Sequence, residues 1–245
     1  MKETQINGSL RLREDTSGLL FGTDALLLSA FCPAGSKKTV VDIGSGSGVV
    51  GLLMLRCGKA GRITGIEIQQ KYAELSLENA RINGYEDKYE CINANVRDFK
   101  SFAGCAFADC VVTNPPYMAS ASGKLNAQTE KYIARHETEC TIDDICEAAS
   151  YMLRFGGSFY AVYRPERLAG LFYAMKSNAI EPKVLLPVCP CAGDRPSLVL
   201  VEGRRAGAPG LSYCKPLVIY CDTEHLHYTA EMETAVKEGK ISVRK

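Results

Sequence analysis

A chain of 245 residues with 46% hydrophobic content can bury a full core, and we read it as one domain: an N-terminal segment and first helix over 1–38, a sheet core over 39–205 and a C-terminal extension over 206–245. With 29 basic and 28 acidic residues the net charge is +1, so a global field for nucleic acid is excluded and phosphate contacts must come from local patches. Eleven cysteines without a CxxC pair, behind the polar start Met1-Lys2-Glu3-Thr4-Gln5, argue against a secreted disulfide scaffold and a zinc site, and no apolar run is long enough for a bilayer; reduced thiols in a cytoplasmic protein, with no metal, are expected.

The first 20 residues are polar and ambiguous. Asp24 stands where it can cap a short buried helix, Ala25 to Cys32, which Pro33 stops. Thr39 to Ile43 is a β-branched run suited to a buried parallel strand. It leads through Asp42-Ile43-Gly44-Ser45-Gly46-Ser47-Gly48 into an apolar helix from Val49 to Cys57, ended by Gly58. Arg62 to Ile68 reads as a second strand carrying Glu67 near its tip. Lys71 to Asn83 reads as a helix whose Tyr72, Leu75, Asn79 and Ile82 share a face. Tyr89 to Ile92 and Asp109 to Thr113 are the third and fourth strands.

A polar stretch from Met118 to about Glu139 is long for a connection and is a candidate lid or substrate loop. Thr141-Ile142-Asp143-Asp144 opens a helix with a capping-box start, which the Gly156-Gly157 pair stops. Ser158 to Tyr163 is a fifth strand, and Pro165 begins a helix carrying Leu168, Leu171, Phe172 and Met175. Val184 to Cys189 and Leu198 to Val201 flank a connection too short for a helix and form an antiparallel hairpin. The alternation predicts an α/β fold: an open, mostly parallel seven-stranded sheet, helices on both faces, and a C-terminal antiparallel hairpin.

Ligands of such sheets bind beyond the carboxyl ends of the strands, where Gly44, Gly46 and Gly48 lie. Glycines there let the backbone approach a ligand, and Glu67 is placed to accept from two ribose hydroxyls. Gly46 to Gly51 also fits the GxGxxG of dinucleotide enzymes. Asp42 favours a different cofactor, because a carboxylate would repel a pyrophosphate and attract the ammonium of a methionine moiety. S-adenosylmethionine is therefore preferred over a nicotinamide dinucleotide.

Asn114-Pro115-Pro116-Tyr117 ends the fourth strand, since proline lacks the N–H and restricts the residue before it. An Asn side-chain oxygen and a main-chain carbonyl beside an aromatic face suit a planar group bearing an NH2. Such an amine is a poor nucleophile because its lone pair is delocalised. Two acceptors, the Asn114 oxygen and the Pro115 carbonyl, would return density to nitrogen and aim it at a sulfonium methyl, with Tyr117 stacking on the planar group. The same four residues also make an ordinary strand-ending turn.

The chain resembles the class I S-adenosylmethionine-dependent methyltransferases of the Asn-Pro-Pro-Tyr group. It is similar in particular to the bacterial tRNA adenine-N6-methyltransferases that modify the adenosine beside the anticodon of a valine tRNA. The resemblance runs through Phe21 to Leu28, the glycine turn, Gly65 to Gln69, Thr113 to Tyr117, Ala134-Arg135-His136-Glu137 and Arg164 to Leu168. It implies a cofactor site of Thr23, Asp42, Gly44, Gly46, Gly48, Glu67, Ile68, Asn95, Val96 and Asn114, and catalysis at Asn114, Pro115, Pro116 and Tyr117. Where that family has an Asp on the cofactor's adenine amine this chain has Asn95, whose oxygen can still accept. Arg135 and His136 either meet RNA or anchor their loop.

A protein-glutamine methyltransferase suits the same corner, but those enzymes carry a helical module upstream, and only 41 residues precede Asp42. A nicotinamide-binding regulator explains the turn and not Asn-Pro-Pro-Tyr. The expected partner is tRNA, without an evident obligate protein partner.

Overall fold

The computed structural model describes residues 2–6, 10–15, 22–33, 35–115 and 140–242. Seven long strands form the sheet: β3 (Thr39–Ile43), β4 (Arg62–Glu67), β5 (Tyr89–Asn93), β6 (Ala108–Thr113), β7 (Leu153–Tyr163), β8 (Ile180–Cys189) and β9 (Leu198–Arg205). Their spatial order is β8-β9-β7-β6-β3-β4-β5. The central pairs are parallel, whereas β9 runs antiparallel to both β7 and β8. The expected hairpin is therefore present, with its second strand inserted between its first and the rest of the sheet. The C-terminal extension adds two short strands to the expected seven. β10 (Ser212–Tyr213) and β11 (Leu217–Val218) both pair in parallel with β8.

Neighbouring residues on each strand point to opposite faces, so one apolar run feeds two cores. Val40, Cys110, Val112 and Tyr160 join a core with α1 (Thr23–Phe31), α2 (Val49–Arg56) and α7 (Ala230–Glu238). Val41, Val111, Phe159 and Ala161 join the other, beneath α5 (Ile142–Met152) and α6 (Leu168–Ser177), near the short α4 (Phe99–Phe102). α3 (Gln70–Ile82) buries Ala73, Leu75, Ser76, Asn79 and Ala80, a face rotated from the Tyr72–Leu75–Asn79–Ile82 stripe that the spacing predicts.

The ambiguous N-terminus is an antiparallel hairpin of β1 (Lys2–Ile6) and β2 (Leu10–Glu14), and Leu10, Leu12 and Glu14 are its buried residues on β2. Asp24 lies inside α1, whose N-cap is Gly22, and its Oδ1 accepts from the Ala25 N–H at 3.0 Å. Gly156-Gly157 does not end the preceding element. α5 ends at Met152 and β7 begins at once, with Gly156 at φ +71° and a register shift on β6 between Ala108 and Cys110. Glycine at positive φ lets the strand kink there without breaking it. The eleven cysteines are free thiols, six of them buried.

Candidate active site

The parallel register aligns the strand ends. Ile43 pairs with Ile66 and with Thr113, and Glu67 pairs with Asn93. At the rim Asn114, Gly44, Glu67 and Asn93 therefore stand side by side in that order, at successive spacings of about 4.8 Å. Thr113 Oγ1 donates to the Ile43 carbonyl at 3.0 Å and fastens the two central ends together.

The turn between β3 and α2 holds Gly44, Gly46 and Gly48 at φ of +71°, +54° and +83°. Residues other than glycine rarely adopt this region. A Cβ at Gly44 or Gly46 would meet nothing within 4 Å, so open space faces the turn where a ligand would lie. Gly48 is different, because its Cβ would come within 2.9 Å of the Tyr89 hydroxyl oxygen. It is there for packing. The Gly44 and Ser45 amides both donate to the Ile66 carbonyl, at 2.9 and 3.2 Å, which ties the turn to β4.

Glu67 is buried, and its carboxylate bridges two segments of the rim. Oε2 accepts from the Gly46 N–H and Oε1 from the Gln69 N–H, each at 2.9 Å. Each oxygen keeps a lone pair for a further donor. Asp42 is 1% exposed, and its Oδ2 accepts from Gly51 N–H at 3.3 Å. It thus occupies the first turn of α2, where Gly48 provides no side-chain cap, and does from the neighbouring strand what an N-cap carboxylate would do. Burial pushes its pKa up to about 7; the Gly51 bond works against this and the charge of Glu67 adds to it. Through the Gly51 bond the Asp42 carboxylate supports the turn from beneath.

Asn95 caps a 3-10 turn, Val96–Asp98, with Oδ1 accepting from Arg97 N–H at 3.1 Å, and Val96 is buried under it. Ile68 is exposed just past Glu67. Thr23 opens α1 and is half-buried. Asn114 is half-buried and Pro115 buried at the end of β6. Pro116, Tyr117, Arg135 and His136 lie outside the described residues. Sequence reasoning missed Asn93, whose Nδ2 donates to the Glu67 and Ile68 carbonyls at 2.9 and 3.0 Å and clamps the ends of β4 and β5. Its signal was an asparagine at a strand terminus. Among the described residues no group of three or more His, Cys, Asp or Glu side chains could hold a metal.

Residues 19–168, which contain the glycine turn, Glu67, Asn95 and Asn114, match the family model described as methyltransferase small domain. The chain belongs to that family. Its methyl donor is S-adenosylmethionine, and the open space over Gly44 and Gly46 and the remaining lone pairs of Glu67 suit a nucleoside. Two curated relatives are each named tRNA1(Val) (adenine(37)-N6)-methyltransferase. The one from Proteus mirabilis is 30% identical over 60% of this chain, and the match spans only 58% of that protein. The one from Bacteroides fragilis is 26% identical over 77% of this chain and 78% of its own length. Among solved structures, a predicted O-methyltransferase from Agrobacterium tumefaciens superposes with a TM-score of 0.73 at 19% identity, covering 91% of this chain and 99% of that one. At that identity the likeness speaks for the fold. A dinucleotide reading of the glycine turn has no support from these relatives.

Proposed function

We propose that this methyltransferase acts on the exocyclic amine of an adenosine in tRNA, beside the anticodon, in the cytoplasm. The observation that carries the reading is the placement of Asn114. It leaves β6 beside Gly44, one strand spacing from the cofactor turn, in a register that Thr113 and Ile43 fix. The names of the curated relatives supply the acceptor class. In keeping with a water-soluble substrate, no helix among the described residues is long and apolar enough to cross a membrane.

S-adenosylmethionine brings an electrophilic methyl on a sulfonium, and the protein's task is alignment. The Asn114 oxygen and the Pro115 carbonyl accept the two amine hydrogens, which turns the nitrogen lone pair toward the methyl. The nitrogen–carbon bond forms as the sulfur–carbon bond breaks, and the amine then sheds one proton to water. Glu67 holds the ribose, while Ile68, Asn95 and Val96 frame the adenine. Tyr117 stacks on the target base, and Arg135 and His136 meet the RNA near it.

The test offers unmodified tRNA, double-stranded DNA and a release-factor-like protein with labelled cofactor. Label on the amine of an anticodon-adjacent adenosine is expected. Asn114→Ala should lower turnover by roughly 10²–10³, as for loss of one oxyanion-hole donor. Label on a glutamine of the protein alone would overturn the reading.

A further inference from the structure

Asn79 is fully buried on α3, yet its three side-chain hydrogen bonds all leave its own helix. Oδ1 accepts from the Arg13 N–H at 2.8 Å, and Nδ2 donates to the Arg13 carbonyl at 3.1 Å and to the Ser47 carbonyl at 3.0 Å. One turn along, Asn83 repeats the grip: Oδ1 accepts from the Arg11 N–H at 2.9 Å and Nδ2 donates to the Arg11 carbonyl at 2.6 Å.

The repeat follows from geometry. Four helical residues rise about 6 Å, and two strand residues about 6.6 Å. An asparagine pair at i and i+4 can therefore imitate a strand and pair with alternate residues of β2, covering the edge that β1 leaves open. The two asparagines differ in one respect. Asn83 spends its other donor on the Asn79 carbonyl within α3 at 2.7 Å, whereas Asn79 reaches Ser47, between Gly46 and Gly48 of the cofactor turn.

We infer that Asn79 is a positioning residue that couples docking of the N-terminal hairpin to the cofactor-ready shape of the glycine turn. It rests on the cofactor site described above and not on the choice of methyl acceptor. A buried amide that loses one partner set is left with unmet hydrogen bonds, so the docked hairpin and the formed turn favour each other. Coupling is reciprocal: a ligand that orders the turn tightens the hairpin by the same factor. Leu10 and Leu12 of the hairpin are buried in the core and Asn83 keeps both bonds to Arg11, so substitution at 79 leaves the hairpin attached.

Amide hydrogen exchange at Arg11 and Arg13 is measured with and without S-adenosylhomocysteine, with the amides of α6 as the internal control. In the unaltered protein the ligand should slow exchange at both arginines more than it does in α6. Asn79→Ala should bind the ligand at least about fivefold more weakly and lose the slowing at Arg11, whose own bond to Asn83 is intact. Asn83→Ala should bind within about twofold of the unaltered protein and retain the slowing at Arg13. The inference is overturned if the ligand slows the two arginines of the unaltered protein no more than it slows α6, or if Asn79→Ala keeps both affinity and slowing. No RNA enters the experiment, so its failure leaves the adenosine reading standing, and the reverse holds.

Discussion

Asp42→Asn should stabilise the cofactor-free protein, and the gain should grow with pH. The carboxylate is buried, its pKa rises from an ordinary 3.8 to about 7, and loss of hydration is the main cause. Between those values the folded chain holds a proton that the unfolded chain has released, so stability falls as pH rises through this window. Below pH 4 both states are protonated and the penalty vanishes; above pH 7 it is complete. Three pKa units correspond to about 4 kcal/mol at full development, of which between about 2 and 3 kcal/mol accrues from pH 5 to pH 8. Asparagine keeps an oxygen for the Gly51 N–H and cannot ionise. Urea unfolding of both proteins at pH 5, 6, 7 and 8 measures the difference directly. A difference that stays constant across the series would refute the argument, because it would mean that Asp42 is ionised throughout.

Glu67→Gln leaves an amide group facing two backbone N–H donors with a single acceptor oxygen, so S-adenosylhomocysteine should bind about 10- to 100-fold more weakly, the worth of about 1.5–3 kcal/mol for bonds to a charged group; calorimetry showing unchanged affinity would place the ribose elsewhere. Lys59 is buried and donates to the Ser29 and Ala30 carbonyls at 2.7 and 2.9 Å and to that of Cys32, closing the C-terminus of α1. Lys59→Met should lower stability on the order of 3 kcal/mol by leaving those carbonyls bare, and an unchanged urea midpoint would show that water replaces the ammonium. At Gly65 a Cβ would meet Ser45 Oγ at 2.7 Å and the Tyr89 hydroxyl oxygen at 2.8 Å. Gly65→Ala should cost about 1–3 kcal/mol, with Tyr89→Phe in the same chain recovering part of it; strict additivity of the two changes would exclude the clash.

The parallel strands were legible because they are buried on both faces and read as apolar runs, as with Val40, Val41, Val111 and Val112. The start of α5 was legible because its signal is local: Thr141 Oγ1 accepts from the Asp144 N–H at 3.2 Å and Asp144 Oδ2 from the Thr141 N–H at 2.7 Å. What stayed hidden depends on partners far along the chain. Leu10-Arg11-Leu12-Arg13 alternates as a strand should, but its edge is completed by side chains of a helix some 70 residues on, for which no periodicity gives notice. Lys59 looks like a loop lysine until α1 is placed against it. β10 and β11 are two residues each, too short for any pattern, and exist because β8 offers them an edge.

The candidate site was more legible than its chemistry, for a geometrical reason. In a parallel sheet with an even register, positions at or just past the strand ends become neighbours however far apart they lie in sequence. Reading strand ends therefore located Gly44, Glu67 and Asn114 together, and the same rule applied to the third strand would have found Asn93. It does not say which way a side chain turns. Asp42 sits one position before Ile43, so its side chain takes the face opposite to that of Ile43, toward α2 and Gly51. Parity does not separate it from Glu67, because Asp42 pairs with Gly65 and Glu67 lies two residues further on the same face; position along the strand puts Glu67 on the rim and Asp42 one pleat beneath it. Glu67 there ties the glycine turn to the end of β4 through the Gly46 and Gln69 amides, while Asp42 holds the start of α2 through that of Gly51.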